Sequence, residues 1–160
     1  MRSPLSKLLV VVNGSESSIG AAKYAIALAK AYGSSVTAVY VVDTATIRQL
    51  ALSRIFVLDE SVEYEESLEE SGKRLLAYVN ELAGSEGVTA EVVMRKGAIT
   101  AEIIALAEEI EADCIVLGES GHKSRFKDVL TDVYLEIARN SSCPVLFVKC
   151  RQAEKAFRAS

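Results

Sequence analysis

The chain has 160 residues, half of them hydrophobic and a quarter charged, which suits one folded domain with a sizeable core and excludes a disordered chain. Its 18 basic and 22 acidic residues leave a net charge of −4, a balance that argues against general nucleic-acid binding, a local basic patch aside. No apolar run approaches the ~20 residues of a membrane span, and Met1 to Lys7 lacks the layout of a secretory signal.

Three cysteines, an odd number, do not make a disulfide framework. Cys114 begins an apolar run and reads as a buried thiol. Cys143 and Cys150 bracket an extended run and would lie roughly 23 Å apart at ~3.3 Å per residue, too far to bond within one chain. A reducing cytoplasm is therefore the expected setting, with no membrane and no nucleic acid as partner.

In chain order, Lys7 to Val12 is a mostly apolar run of strand length, as in parallel strands buried on both faces. Asn13-Gly14-Ser15 breaks it with turn residues, and Ser15, Ser17 and Ser18 are all candidate N-caps. Ile19, Ala22, Ala25, Ile26 and Ala29 then recur at helical spacing up to Tyr32, with Gly33 suited to the stop. Val36 to Val42 is the second strand, closed by Asp43. Residues 44–61 are ambiguous. Ile47, Leu50, Ala51 and Arg54 suit a short amphipathic helix, whereas Ile55 to Leu58 suits an extended run. A connector packed on the sheet is the simpler reading; a lid or interface segment is the functional one.

Val62 to Ala83 carries Val62, Leu68, Leu75, Leu76, Val79 and Leu82 on one face of a long helix, with an acidic first half that favours the helix dipole. Gly84 and Gly87 end it. Val88 to Arg95 is the third strand, and Gly97-Ala98 opens a helix bearing Ile103, Leu106, Ala107 and Ile110. Cys114 to Leu117 is the fourth strand. Asp128 to Asn140 is a helix with Val129, Val133 and Ile137 on one face. Pro144 to Val148 is the fifth strand, with proline at its start where a missing donor does least harm. Arg151 to Ser160 reads as a polar, solvated C-terminal tail after a domain spanning residues 1–150. There are no internal repeats.

Alternation of strands and helices predicts an α/β fold, a single open parallel sheet with helices on both faces. Ligands in such folds sit beyond the carboxyl ends of the strands at a switch point. That places Asn13-Gly14-Ser15, Tyr40 to Asp43, Arg95 to Ala98 and the Gly118–Gly121 loop around one crevice. The stretch from Ile115 to Asp132 runs from a strand through two glycines and a basic run into a helix, one way to build an anion pocket.

Four segments carry a resemblance. Val10-Val11-Val12-Asn13-Gly14-Ser15 and Val39-Tyr40-Val41-Val42-Asp43 form one pair. Ala112-Asp113-Cys114-Ile115-Val116-Leu117-Gly118 and Cys143-Pro144-Val145-Leu146-Phe147-Val148 form the other. In this order and spacing, the chain resembles the universal stress protein family over about residues 5–149. The resemblance implies a five-stranded sheet of order 3-2-1-4-5 and a homodimer.

ATP-binding members carry Gly, two residues, Gly, nine residues, then Gly and Ser or Thr. Gly118 and Gly121 match the first two positions, but Thr131-Asp132 stands where Gly-Ser/Thr is expected, and Asn13 where the family usually has Asp. Thr131 adds a side chain where bare backbone would approach phosphate, and Asp132 replaces a donor with an acceptor once ionised. Mg²⁺ held by Asp132, or charge from Lys123, Arg125 and Lys127, would offset this. Alternatively, Thr131 or Asp132 simply caps or charges an early helical turn.

Two functions follow. The first is a non-catalytic cytoplasmic stress-response homodimer with weak or no ATP binding. The second is an adenine-nucleotide sensor with Gly118, Ser120, Gly121, Lys123 and Ser124 around the phosphates and Val41 near the base. An enzyme is not expected. His122 is the only histidine, no Gly-x-Ser-x-Gly elbow occurs, and there is neither a Walker P-loop nor Cys/His metal spacing. An exposed apolar fifth strand would be a liability, so antiparallel pairing of Pro144–Val148 with its copy is the expected dimer contact. A dyad between Leu146 and Phe147 would set Cys143 opposite the partner's Cys150.

Overall fold

The computed structural model describes residues 3–53, 58–119 and 128–159. Five strands, β1 (Lys7–Val11), β2 (Ser35–Val42), β3 (Ala90–Lys96), β4 (Cys114–Glu119) and β5 (Val145–Lys149), form one sheet of order β3-β2-β1-β4-β5. Every pairing is parallel. Six helices accompany them: α1 (Glu16–Tyr32), α2 (Thr44–Leu52), α3 (Leu58–Ser85), α4 (Ile99–Glu109), α5 (Asp128–Asn140) and α6 (Cys150–Ala159). The predicted fold and strand order are those observed.

Period-two alternation sorts the strand side chains between two cores. Leu8, Val10 and Val12 pack with Ala22, Ala25, Tyr40, Leu76 and Val79 on the face covered by α1 and α3. Leu9 and Val11 pack with Ile103, Leu106, Tyr134 and Ile137 on the face covered by α4 and α5. Each fully buried Leu, Ile or Val contributes ~1.5–3 kcal/mol, so β1, apolar on both faces, can only be central. The alanines of α1 (Ala21, Ala22, Ala25 and Ala29, all buried) let that helix lie close against the sheet.

Helix ends follow local chemistry. Of the three serines considered, Ser15 caps α1. Its backbone is extended, and its side chain accepts from Ser18 N at 3.2 Å. Gly33 closes α1 in the left-handed conformation, with its N–H on the Ala29 carbonyl. The ambiguous 44–61 segment resolves in part. Asp43 accepts from Thr46 N at 3.1 Å and Thr46 Oγ1 at 2.6 Å, starting α2 with Ile47 buried. The long helix α3 begins earlier than expected, at Leu58. Residues 54–57, including the Ile55–Leu58 run up to its last residue, lie outside the described residues.

The last residues correct the expectation of a solvated tail. They form α6, which packs along α1 with Ala153 fully buried. Lys23 of α1 reaches Glu154 at 2.9 Å and lies 5.6 Å from the Phe157 ring centroid. The segment is rich in charged residues, so its composition reads as tail although its packing is helical. Among the described residues, no helix is long and apolar enough to cross a membrane.

Candidate functional site

The strand order reverses at β1, whose neighbours are β2 and β4. The crevice expected there lies beyond the carboxyl ends of β1 and β4. Its first wall is the turn after β1. Gly14 sits at φ +87°, a region that glycine enters without steric cost. Asn13 anchors the turn through its side chain. Its Oδ1 accepts from Ser15 N at 3.0 Å and from Ser15 Oγ at 2.6 Å. Its backbone N–H donates to Ser18 Oγ at 3.1 Å, and that hydroxyl donates to the Ser15 carbonyl at 3.0 Å. Asn13, Gly14 and Ser15 form this turn, and Val41 at the end of β2 packs against the α4/α5 core.

Gly118 also lies at this point, but its neighbour is protein. A Cβ there would collide with the Ser17 carbonyl group and reach Ser18 N at 3.0 Å. Its missing side chain lets β4 pass close to the start of α1. A phosphate is not needed to explain it.

The opposite wall is α5, and here sequence reasoning missed the main residue. Tyr134 is 7% exposed and packs with the β1 and β4 side chains of the α4/α5 core. Its hydroxyl accepts from Asn13 Nδ2 at 3.0 Å. Burial pushes the phenol pKa up, so the hydroxyl stays protonated. The signal was present: Tyr134 follows Val133 and precedes Ile137 by three, which puts it beside the apolar face.

The amide of Asn13 is nearly spent by these contacts. An amide oxygen accepts two bonds and an amide nitrogen donates two. Oδ1 already has two donors from Ser15 and Nδ2 has given one hydrogen to Tyr134. One N–H is left, whereas an asparagine that grips an adenine edge needs a donor and an acceptor together.

Thr131 and Asp132 are the fourth and fifth residues of α5, on the early turns of the helix. Ser120, Gly121, Lys123 and Ser124 lie outside the described residues, as do His122, Arg125 and Lys127.

Beside the crevice is a second concavity of about 580 Å³ between α2, α4 and α5, a size that suits small molecules. Asp43 and Thr46, Thr100 and Glu108, and Val133 and Glu136 come from the three helices in turn. Among its described lining residues are three carboxylates and no Lys or Arg. Thr100 Oγ1 donates to Glu136 Oε2 at 3.3 Å.

Cys114 is buried, and burial, with a smaller contribution from nearby Cys143, pushes its thiol pKa up to about 11. At neutral pH it is a packed apolar group and not a nucleophile.

An open parallel sheet with two cores and a crevice at the β1/β4 switch point defines a doubly wound α/β domain. The model of the universal stress protein family matches residues 4–149, and the chain belongs to that family. A universal stress protein of Methanocaldococcus jannaschii, MJ0531, is 34% identical over 143 residues, covering 89% of this chain and 81% of that one. Two solved structures share the fold. One, a universal stress protein in complex with cAMP, has a TM-score of 0.66 at 23% identity and covers 92% of this chain and 99% of its own. The other, a family member from Arabidopsis thaliana with AMP bound, has a TM-score of 0.66 at 18% identity and covers 90% and 91%. Helix α6 lies immediately after the matched span.

Proposed function

We propose that this universal stress protein is a non-catalytic, cytoplasmic homodimer that binds ATP weakly or not at all. The observation that carries the proposal is the sign of the charge lining the groove between α2, α4 and α5. The concavity beside the crevice offers Asp43, Glu108 and Glu136 without a basic side chain among its described lining. Asp132 stands on an early turn of α5, where the family pattern has a hydroxyl residue. Two like unit charges ~4 Å apart cost about 4 kcal/mol at an effective dielectric of roughly 20. A third of that lowers affinity roughly tenfold.

Calorimetric titration of the full chain with Mg-ATP is the test. Little or no heat of binding at micromolar concentrations is the expected result. Low-micromolar affinity would overturn the proposal. The dimer part rests on β5, an edge strand paired only with β4. A copy added antiparallel at that edge covers it with two-fold symmetry. Sedimentation should give a dimer at micromolar concentration, and a monomer there ends this part.

The second reading, an adenine-nucleotide sensor, is favoured by the two neighbours that hold AMP and cAMP. It would use Gly118, Ser120, Gly121, Lys123 and Ser124 around the phosphates and Val41 near the base. Nucleotide released from purified protein on denaturation supports it. Failure to bind any adenine nucleotide removes it.

A further inference from the structure

We infer that Tyr134 is a built-in stopper of the crevice, and that its ring keeps a nucleoside out independently of any charge. The inference rests on the weak-binding reading and assigns its steric part.

Three observations place the ring there. Tyr134 is 7% exposed although it is on α5, and it shares a core with Leu9, Val11, Ile115 and Leu117. Two of them, Val11 at the end of β1 and Leu117 in the second half of β4, lie toward the switch point that these strands flank. Its hydroxyl ends on the side chain of Asn13, two residues past the end of β1. The phenol therefore spans from the sheet to the turn, across the floor of the volume that open α/β sheets leave for a ligand.

The Asn13 amide points to the same conclusion. Asn13 itself is exposed, so solutes can reach it. Yet its oxygen is committed to Ser15 and one of its two N–H bonds to Tyr134. A base arriving at the Asn13 side chain meets one free donor, no free acceptor on that amide, and a buried ring below. Removing only the charge on α5 would leave this obstruction in place.

Adenosine separates the two effects. It is the nucleoside part of the AMP and cAMP held by two structural neighbours, and it carries no phosphate for a carboxylate to repel. Binding of adenosine and Mg-ATP is to be measured by calorimetry for the unaltered full chain, Tyr134→Ala, Tyr134→Phe and Asp132→Ser. The unaltered chain, Tyr134→Phe and Asp132→Ser should show no measurable adenosine binding. Tyr134→Ala should gain at least tenfold in affinity. Where Tyr134→Ala fails to fold, Tyr134→Val, which keeps part of the apolar packing, takes its place with the same expected gain.

A folded Tyr134→Ala or Tyr134→Val that binds adenosine no better than the unaltered chain overturns the stopper and leaves the weak-ATP reading standing. A gain in Tyr134→Phe equal to that in Tyr134→Ala overturns the steric role, because the ring is still there. Tight Mg-ATP binding by the unaltered chain sinks the weak-binding reading and the stopper with it.

Discussion

The turn after β1 and the groove between α2, α4 and α5 are unlike. The turn after β1 is tied together by the protein's own groups. Asn13, Ser15, Ser18 and Tyr134 bond one another, and Gly118 lets Ser17 approach β4. The cavity between α2, α4 and α5 is open, and carboxylates line it. Glu108 and Glu136 there are exposed, and the bond from Thr100 of α4 to Glu136 of α5 is long. The first is a structural joint at the switch point, whereas the second is solvated space with a sign. Substitution should therefore cost stability in the crevice and mainly change electrostatics in the cavity.

Gly118→Ala should break the contrast hardest. The added carbon has no rotamer by which to escape, and what it meets is backbone of α1. Overpacking usually costs about 1–3 kcal/mol and sometimes more; with a rigid neighbour, ~3 kcal/mol or worse is expected. At about 2–4 °C per kcal/mol for a domain of this size, the melting midpoint should fall by ~6 °C or more. A midpoint within ~1 °C of the unaltered chain would show that β4 and α1 are not held so closely, on the same scale.

Asn13→Ala comes next. It removes both acceptor bonds to Ser15 and the donor bond to Tyr134. At roughly 0.5–1.5 kcal/mol net each, discounted because Asn13 is exposed, a loss of about 2 kcal/mol is expected in urea unfolding. Asn13→Asp sharpens the result. A carboxylate keeps the Ser15 acceptor, and the Tyr134 hydroxyl can turn to donate to it. Its cost should be less than half that of Asn13→Ala. Equal costs would mean that a carboxylate at this position restores neither the turn nor the bond to Tyr134.

This contrast was only half legible in the sequence. The strands were readable because Leu8 to Val12 and Cys114 to Leu117 are apolar on both faces, and only a parallel sheet sandwiched between helices buries both. Asn13-Gly14-Ser15 announced a turn by composition alone. Gly118, however, reads the same whether its missing Cβ serves a phosphate or the Ser17 carbonyl, since either needs bare backbone. Tyr134 was obscured for a different reason. Its ring fits the helical apolar pattern, so periodicity files it with the core, and its hydroxyl contact with Asn13 spans 121 positions. Helix α6 was missed because its apolar residues are few and mostly small in a polar segment, too sparse to register as a period. Local pattern reports which face is inside; it does not report what lies opposite.

Glu136→Gln should have the smallest effect, and it probes the other half of the comparison. Glutamine keeps an acceptor for Thr100 Oγ1, and the side chain is exposed. A surface change of this kind stays within about 0.5 kcal/mol in stability. The cavity, though, loses one of its three carboxylates. For an anion ~8 Å away in a largely aqueous setting, one unit charge is worth about 0.5 kcal/mol, or roughly a twofold gain in affinity, less at high salt. Titration with inorganic phosphate at low and high salt should show that small gain shrinking as salt rises, with the unfolding midpoint unmoved. A destabilisation above ~1 kcal/mol, beyond the surface range, would make Glu136 a structural partner like Asn13. The distinction between a self-filled joint and an open acidic space would then fail on its second side.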